Sequence, residues 1–189
     1  MEERQESDRG IVQYRRYLQG DDEALARIIE EYGDRLLRYI QGYVGDPDVA
    51  EDLLADTFLK LILRRRAFRE ESSFKTYLYA IGRHRALDWL RRKSRTREVP
   101  WEETALTVNV DPAQSLYEED RRRHLHVALQ SIPVDYREVL RLIYFEELTC
   151  TEAAAVMHKT RKQTENLLYR GKKALRYALE KEGFSYEDL

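Results

Sequence analysis

Cysteine is almost missing from this 189-residue chain, and the single Cys150 leaves no internal disulfide to form. Among Thr151, Ala153 and Ala154 it reads as a small packing residue. Four prolines and eight glycines leave no low-complexity tract, no phosphate-binding glycine loop and no nucleophile elbow. Histidine is equally sparse: His124 and His126 stand two apart, which on a helix points them in different directions, so no metal site is expected. Glu118-Glu119-Asp120 is the one acidic triplet a nuclease could use, and it reads better as a solvated helix start. No catalytic residue, metal or cofactor is therefore expected. No apolar run approaches the roughly 20 residues that cross a bilayer, and the charged start has no signal-peptide core. A cytoplasmic protein without membrane insertion is expected.

What the chain does have is charge, at 36% of its residues, and the net value of -2 hides a strong segregation. Asp21 to Asp56 holds eleven acids against Arg27, Arg35 and Arg38, whereas Arg83 to Arg97 holds seven bases against Asp88. Glu98 to Asp120 then adds seven acids and no base. Separate acidic and basic faces imply more than one kind of partner.

The most informative stretch runs from Val134 to Leu179. Tyr136, Val139, Leu140 and Ile143 recur at helical spacing, Glu146-Glu147-Leu148-Thr149 breaks the run, and Thr149 can cap a short helix through Ala153, Val156 and Met157. His158-Lys159-Thr160 makes the turn into a long helix that buries Thr164, Leu168, Gly171, Leu175 and Leu179. Lys159, Arg161, Lys162, Gln163, Asn166, Arg170 and Lys173 then lie on its outer side or at its entrance. That is the layout of a helix-turn-helix recognition helix, since Gln and Asn can pair with adenine edges while Lys and Arg hold phosphate or guanine. Between His158 and Arg176 seven bases face Glu165 alone. A solvated helix face is the plainer alternative.

Read in order, the chain has a polar N-terminal tail at 1–20, where Ile11, Val12, Tyr14, Tyr17 and Leu18 give one weak amphipathic turn or two at most. A helix capped by Asp21-Asp22 follows, with Leu25, Ile28, Ile29, Tyr32, Leu36, Leu37, Ile40 and Val44 on its apolar stripe and an end at Gly45. Asp46-Pro47 opens the next helix, with Val49, Leu53, Leu54, Thr57, Phe58, Leu61 and Ile62 inward and Asp48, Asp52 and Asp56 outward. These like charges at i, i+4 spacing repel, so the face is either solvated or made for a basic partner. After a polar loop, a helix from Phe74 to about Lys93 interleaves aromatics with cations, a surface suited to unpaired bases. Phe74 and Trp89 read as core there; Tyr77, His84 and the arginines are the better strand contacts. Residues 21–93 thus form one helical domain, 94–110 a linker and 111–183 a second domain, followed by a short tail at 184–189. The fold class is all-α, two small helical domains joined by a flexible linker, the second a helix-turn-helix.

Two blocks carry a family resemblance: DPDVAEDLLADTFLKLI with SSFKTYLYAIGRHRALDWLRR, and SIPVDYREVLRLIYFEELTCTEAAAVM with KTRKQTENLLYRGKKALR. In this order they resemble the bacterial extracytoplasmic-function sigma factors, RNA polymerase specificity subunits that keep only regions two and four. The resemblance implies that Asp48, Asp52, Leu53, Asp56, Thr57 and Phe58 lie near the surface docking on the polymerase beta-prime clamp. It implies that Ser72, Ser73, Phe74, Lys75 and Tyr77 form the loop and helix start that capture a base flipped from the minus-10 element. Arg83, His84, Arg85, Arg91 and Arg92 would hold the melted strand or the upstream duplex, and the last helix would read the minus-35 element. The implied partners are core RNA polymerase through its beta-prime clamp and beta flap, promoter DNA and an anti-sigma factor, with the free factor a monomer. Tyr77 and His84 stand where many relatives have Trp and Asn, and Thr164, Glu165 and Leu167 depart from the usual recognition helix. Glu165 could accept from a cytosine amino group or repel phosphate. The acidic stretch from Glu98 to Asp120 is expected to compete for the basic surfaces in the free factor. Three rivals remain: an autonomous regulator dimerising through residues 111–132, a metal-dependent nuclease using the acidic triplet, and a sigma-like interaction module without promoter specificity.

Overall fold

The computed structural model describes residues 8–64, 68–96 and 116–181, with the backbone alone for 96 and 116–122. These residues hold eight helices: α1 Arg9–Leu18, α2 Asp22–Val44, α3 Pro47–Leu63, α4 Phe74–Thr96, α5 Leu116–Ser131, α6 Val134–Tyr144, α7 Cys150–Met157 and α8 Arg161–Lys181. The all-α architecture ending in a helix-turn-helix is as the periodicity predicts. Most of the expected linker, the acidic triplet's side chains and the C-terminal tail lie outside the described residues.

Local chemistry sets the boundaries. Asp21 caps α2 by accepting from the Ala24 N–H, and Gly45, at φ 72°, ends it in the left-handed conformation that glycine adopts without steric cost. Asp46 caps α3, which starts at Pro47 where the missing N–H removes no helical bond. The short α7 starts from a reciprocal capping box between Thr149 and Glu152.

Helices α1 to α4 form the first body. Its core holds Ile28, Leu36 and Ile40 of α2, Leu53 and Leu61 of α3, and Phe74 and Leu78 of α4. Ile29, expected on the buried stripe of α2, is instead exposed, because Ala24 and Ile28 set that turn's inward direction. The N-terminal segment is more ordered than its weak pattern predicts: α1 spans ten residues and buries Ile11, Tyr14 and Tyr17. Tyr14 meets Phe68 and Phe74, both more than fifty residues away in the chain, at centroid distances of 5.9 and 5.2 Å.

In the second body α8 packs on α5, α6 and α7. Ala128 and Leu129 of α5, with Ile132 just after its end, are buried against Leu140 and Ala178. The close approach of α8 to α6 depends on Gly171, where a Cβ would stand 3.3 Å from both Cβ and carbonyl oxygen of Tyr136. The two bodies also meet: α4 packs on α7, and Val139, Leu142, Leu148 and Val156 join the core of the first body.

Candidate nucleic-acid interface

Helix α8 presents its basic residues outward, as its periodicity predicts. Arg161, Lys162, Asn166, Arg170 and Lys173 are exposed while Thr164 and Gly171 are buried. The turn before it uses His158 at φ 53° as the left-handed end of α7, a conformation uncommon for a non-glycine residue. Thr160 and Gln163 then cap α8 reciprocally: Thr160 Oγ1 accepts from the Gln163 N–H at 3.2 Å, and Gln163 Oε1 accepts from the Thr160 N–H at 2.8 Å. Gln163, expected to read a base, thus has its carbonyl engaged by the helix start and only its amide NH2 left to offer. The Thr-x-x-Gln spacing is a readable capping signature, and it competes with the base-reading role. Arg161 donates to Glu165 at 2.8 Å, so Glu165 shields a neighbouring cation. Lys159 at the entrance is ion-paired with Asp135 at 2.9 Å. Lys173 lies 4.7 Å over the exposed Tyr169 ring.

The α4 surface is built differently. Phe74 is completely buried against Tyr14, Tyr32 and Phe68, so it holds the helix start from behind and cannot meet a base. Tyr77 is half-buried, its ring 4.9 Å from that of Phe68. Ser73 caps α4, its Oγ accepting from the Thr76 N–H at 3.3 Å. His84 and Arg91 flank Asp88 at 3.1 and 3.2 Å, and Arg92 donates to the Asp88 carbonyl. Arg85 is half-buried. Trp89 is partly buried, with Lys93 at 4.5 Å over its ring.

Two cations of this surface face the second body. Arg83 donates from Nε and Nη2 to the carboxylate of Glu138, at 2.6 and 3.2 Å, and Glu138 also accepts from the Tyr39 hydroxyl at 3.3 Å. Only 1% of the Glu138 surface is exposed. Burial by itself would lower the pKa of Arg83, but the hydrogen bonds and charge of Glu138 raise it on balance. Lys75 donates to the Glu146 carbonyl and lies 3.7 Å from its carboxylate, which also accepts a hydrogen bond from Tyr79. Burial lowers the Lys75 pKa, with the Glu146 charge opposing it. Arg141, also buried, stands 4.0 Å from Glu146, and its Nε and Nη1 have no hydrogen-bond partner among the described residues. The junction is thus buried, charged and incompletely satisfied, unlike a permanent apolar interface. None of this pairing was readable in the sequence, because Arg83 and Glu138 are separated by 55 residues.

The acidic helix α3 divides its expected docking set in two. Asp48, Asp52 and Asp56 are exposed, while Leu53, Thr57 and Phe58 are buried and support that face from behind. Leu59 and Leu63, 50% and 74% exposed, join Asp52 and Asp56 at helical spacing. Sequence reasoning missed these two; the available signal was that neither falls on the stripe of Leu53, Thr57 and Leu61. Among the described residues no helix is long and apolar enough to cross a membrane.

Comparison with known proteins supplies the remaining findings. The family Sigma-70 region 2 matches residues 28–96, and Sigma-70, region 4 matches residues 122–175. RNA polymerase sigma-H factor of Pseudomonas aeruginosa is 27% identical over 186 residues, covering 93% of this chain and 95% of that protein. ECF RNA polymerase sigma factor SigX of Bacillus subtilis is 24% identical over 165 residues, covering 84% and 85%. Among solved structures, the sigma factor RpoE of Bartonella quintana, in complex with the anti-sigma factor NepR, aligns with a TM-score of 0.66 and 24% identity, over 82% of this chain and 96% of that one. CnrH in complex with the cytosolic domain of CnrY aligns at 0.65 with 20% identity, over 92% and 97%. These two likenesses are of fold.

Proposed function

Because the chain belongs to the sigma-70 family and is a sigma factor of the extracytoplasmic-function group, we propose a division of promoter work between its two bodies. As a sigma factor it directs core RNA polymerase to promoters to initiate transcription, and the family is one of non-enzymatic initiation factors. Bond-forming chemistry stays with the polymerase. The exposed acids Asp48, Asp52 and Asp56, with Leu59 and Leu63, dock on the beta-prime clamp, and the second body meets the beta flap. Ser72, Ser73, Lys75 and Tyr77 capture a minus-10 base, and Arg83, His84, Arg85, Arg91 and Arg92 follow the melted strand. Lys162, Asn166, Arg170 and Lys173 hold the minus-35 duplex, with Arg161, Lys159 and the free amide of Gln163 beside them. An anti-sigma factor is a further partner, and the protein acts in the cytoplasm.

The observation that carries this reading is the succession of region 2 and region 4 along one chain, with a basic, outward-facing α8 backed by its own small core. The autonomous-regulator reading is weakened by α5, whose Ala128 and Leu129, with the following Ile132, are spent inside the chain. In the compact arrangement Lys75 and Arg83 are held by Glu146 and Glu138, so the free factor must open before these cations reach a strand. This role was expected of the Glu98–Asp120 segment, most of which lies outside the described residues. Transcription with purified core polymerase on a randomised promoter library tests the reading. Selection of two conserved blocks is expected, and a library that stays unselected would overturn it.

A further inference from the structure

Helix α1 carried no assigned role in the sequence, yet it makes three separate contacts with the segment that opens α4. The Asp8 carboxylate is shared between two helix starts. Its Oδ1 accepts from the Gly10 and Ile11 N–H groups of α1 at 3.0 and 3.3 Å, and its Oδ2 accepts from the Phe74 N–H of α4 at 2.9 Å. A carboxylate suits both positions, because each helix start has unpaired N–H donors and positive dipole charge. Arg15 grips Glu70 with two parallel hydrogen bonds, from Nε to Oε1 at 2.9 Å and from Nη2 to Oε2. Glu70 sits at φ 57°, a left-handed conformation that costs energy for a glutamate and persists only where neighbours hold it. The guanidinium keeps the Glu70 carboxyl below its ordinary range. Finally, Gly10 brings α1 so close that an added Cβ would stand 2.6 Å from both the Phe74 ring and the Tyr32 hydroxyl.

We infer that α1 is the positioning element of the base-capturing loop, with Asp8 and Arg15 as positioning residues that fix the loop from Glu70 to Lys75 relative to α4. This rests on the reading of Ser72, Ser73 and Tyr77 as strand contacts. Neither Asp8 nor Arg15 touches a base. Asp8 holds the Phe74 backbone N–H and Arg15 the Glu70 side chain, so that the reading groups meet the strand without first paying an ordering cost.

The test uses the full chain bound to core RNA polymerase and a pool of single-stranded oligonucleotides randomised over ten positions, with the bound fraction sequenced. Arg15→Glu is expected to flatten the base bias at the captured position about tenfold, while polymerase affinity changes less than about twofold, because an exposed ion pair contributes little to folding. The double variant Arg15→Glu with Glu70→Arg should restore the bias, which a general loss of stability would not allow. Asp8→Asn retains one carbonyl oxygen, enough to cap one helix start and not two, and should flatten the bias with the melting temperature of the first body nearly kept. Tyr77→Ala separates the two levels of the argument. If it flattens the bias and neither Arg15→Glu nor Asp8→Asn does, the positioning inference fails alone. If Tyr77→Ala changes nothing, the capture reading fails and this inference falls with it.

Discussion

Two basic helices of similar length, α4 with 23 residues and α8 with 21, have opposite surroundings. Helix α8 is backed on one side by its own small core and leaves its cations in solvent. Helix α4 belongs to the first body and faces the second, which places Glu138 on Arg83 while Glu146 meets Lys75 near its start. A basic stretch in a sequence therefore states capacity for nucleic acid and says nothing about access. Access depends on which acids the fold brings across from elsewhere, and here they come from α6 and the turn after it, about fifty to seventy residues further on.

The largest expected effect strikes the guarded helix. Glu138→Gln leaves Arg83 buried without its charge partner, which costs about 3–5 kcal/mol when one side of a buried pair is removed. The junction should open, seen as a larger radius of gyration by X-ray scattering and as new affinity of the free factor for single-stranded DNA. A variant as compact as the parent would remove the guarded half of the comparison. A smaller effect is expected in α8 from Gly171→Val, because its Cβ already crowds Tyr136 at 3.3 Å and overpacking costs about 1–3 kcal/mol. The second body should melt earlier and upstream-duplex binding should weaken, with strand binding by the first body untouched.

Alkaline pH separates the helices by a third route. Burial, and next the Glu138 charge, raise the pKa of Tyr39 and Tyr43, and burial with Glu146 does the same for Tyr79. A folded-state pKa above the unfolded value means stabilisation that is complete below the ordinary tyrosine range, at about pH 10, and lost as pH rises beyond it. Tyrosinate absorbance followed with scattering from pH 8 to 11 should show ionisation and opening together, and phenols that ionise without opening would place them outside the junction. The smallest effect is Lys162→Ala on the open helix, which should lower the salt slope of duplex binding by about one unit. An unchanged slope would mean that Lys162 does not meet phosphate.

Helix boundaries were legible wherever capping chemistry is local. Asp21, Gly45, Asp46-Pro47 and Thr149-x-x-Glu152 each act within four residues, so their effect can be read from their neighbours. The outward face of α8 was legible for the same reason, since 3.6-residue periodicity places Lys162, Asn166 and Arg170 opposite Thr164 and Gly171. Helix α1 was not, because Tyr14 buries only when Phe68 and Phe74 come to meet it. Phe74 itself, Leu53, Thr57 and Phe58 belong to blocks with family roles, yet their side chains face the core. The carbonyl of Gln163 is committed to a cap that its spacing from Thr160 already announced.

The amino-acid order by itself determined where the helices with local caps begin and end, which face of them is mainly apolar, and that an acidic helix precedes two basic ones. Those properties follow from bonds and spacings within a turn or two of chain. Only the tertiary structure decided which cations are available, since a charge keeps or loses its solvent according to the neighbours that folding brings to it, and Glu138, Glu146 and Asp8 act on partners too distant in the chain for any local pattern to reveal.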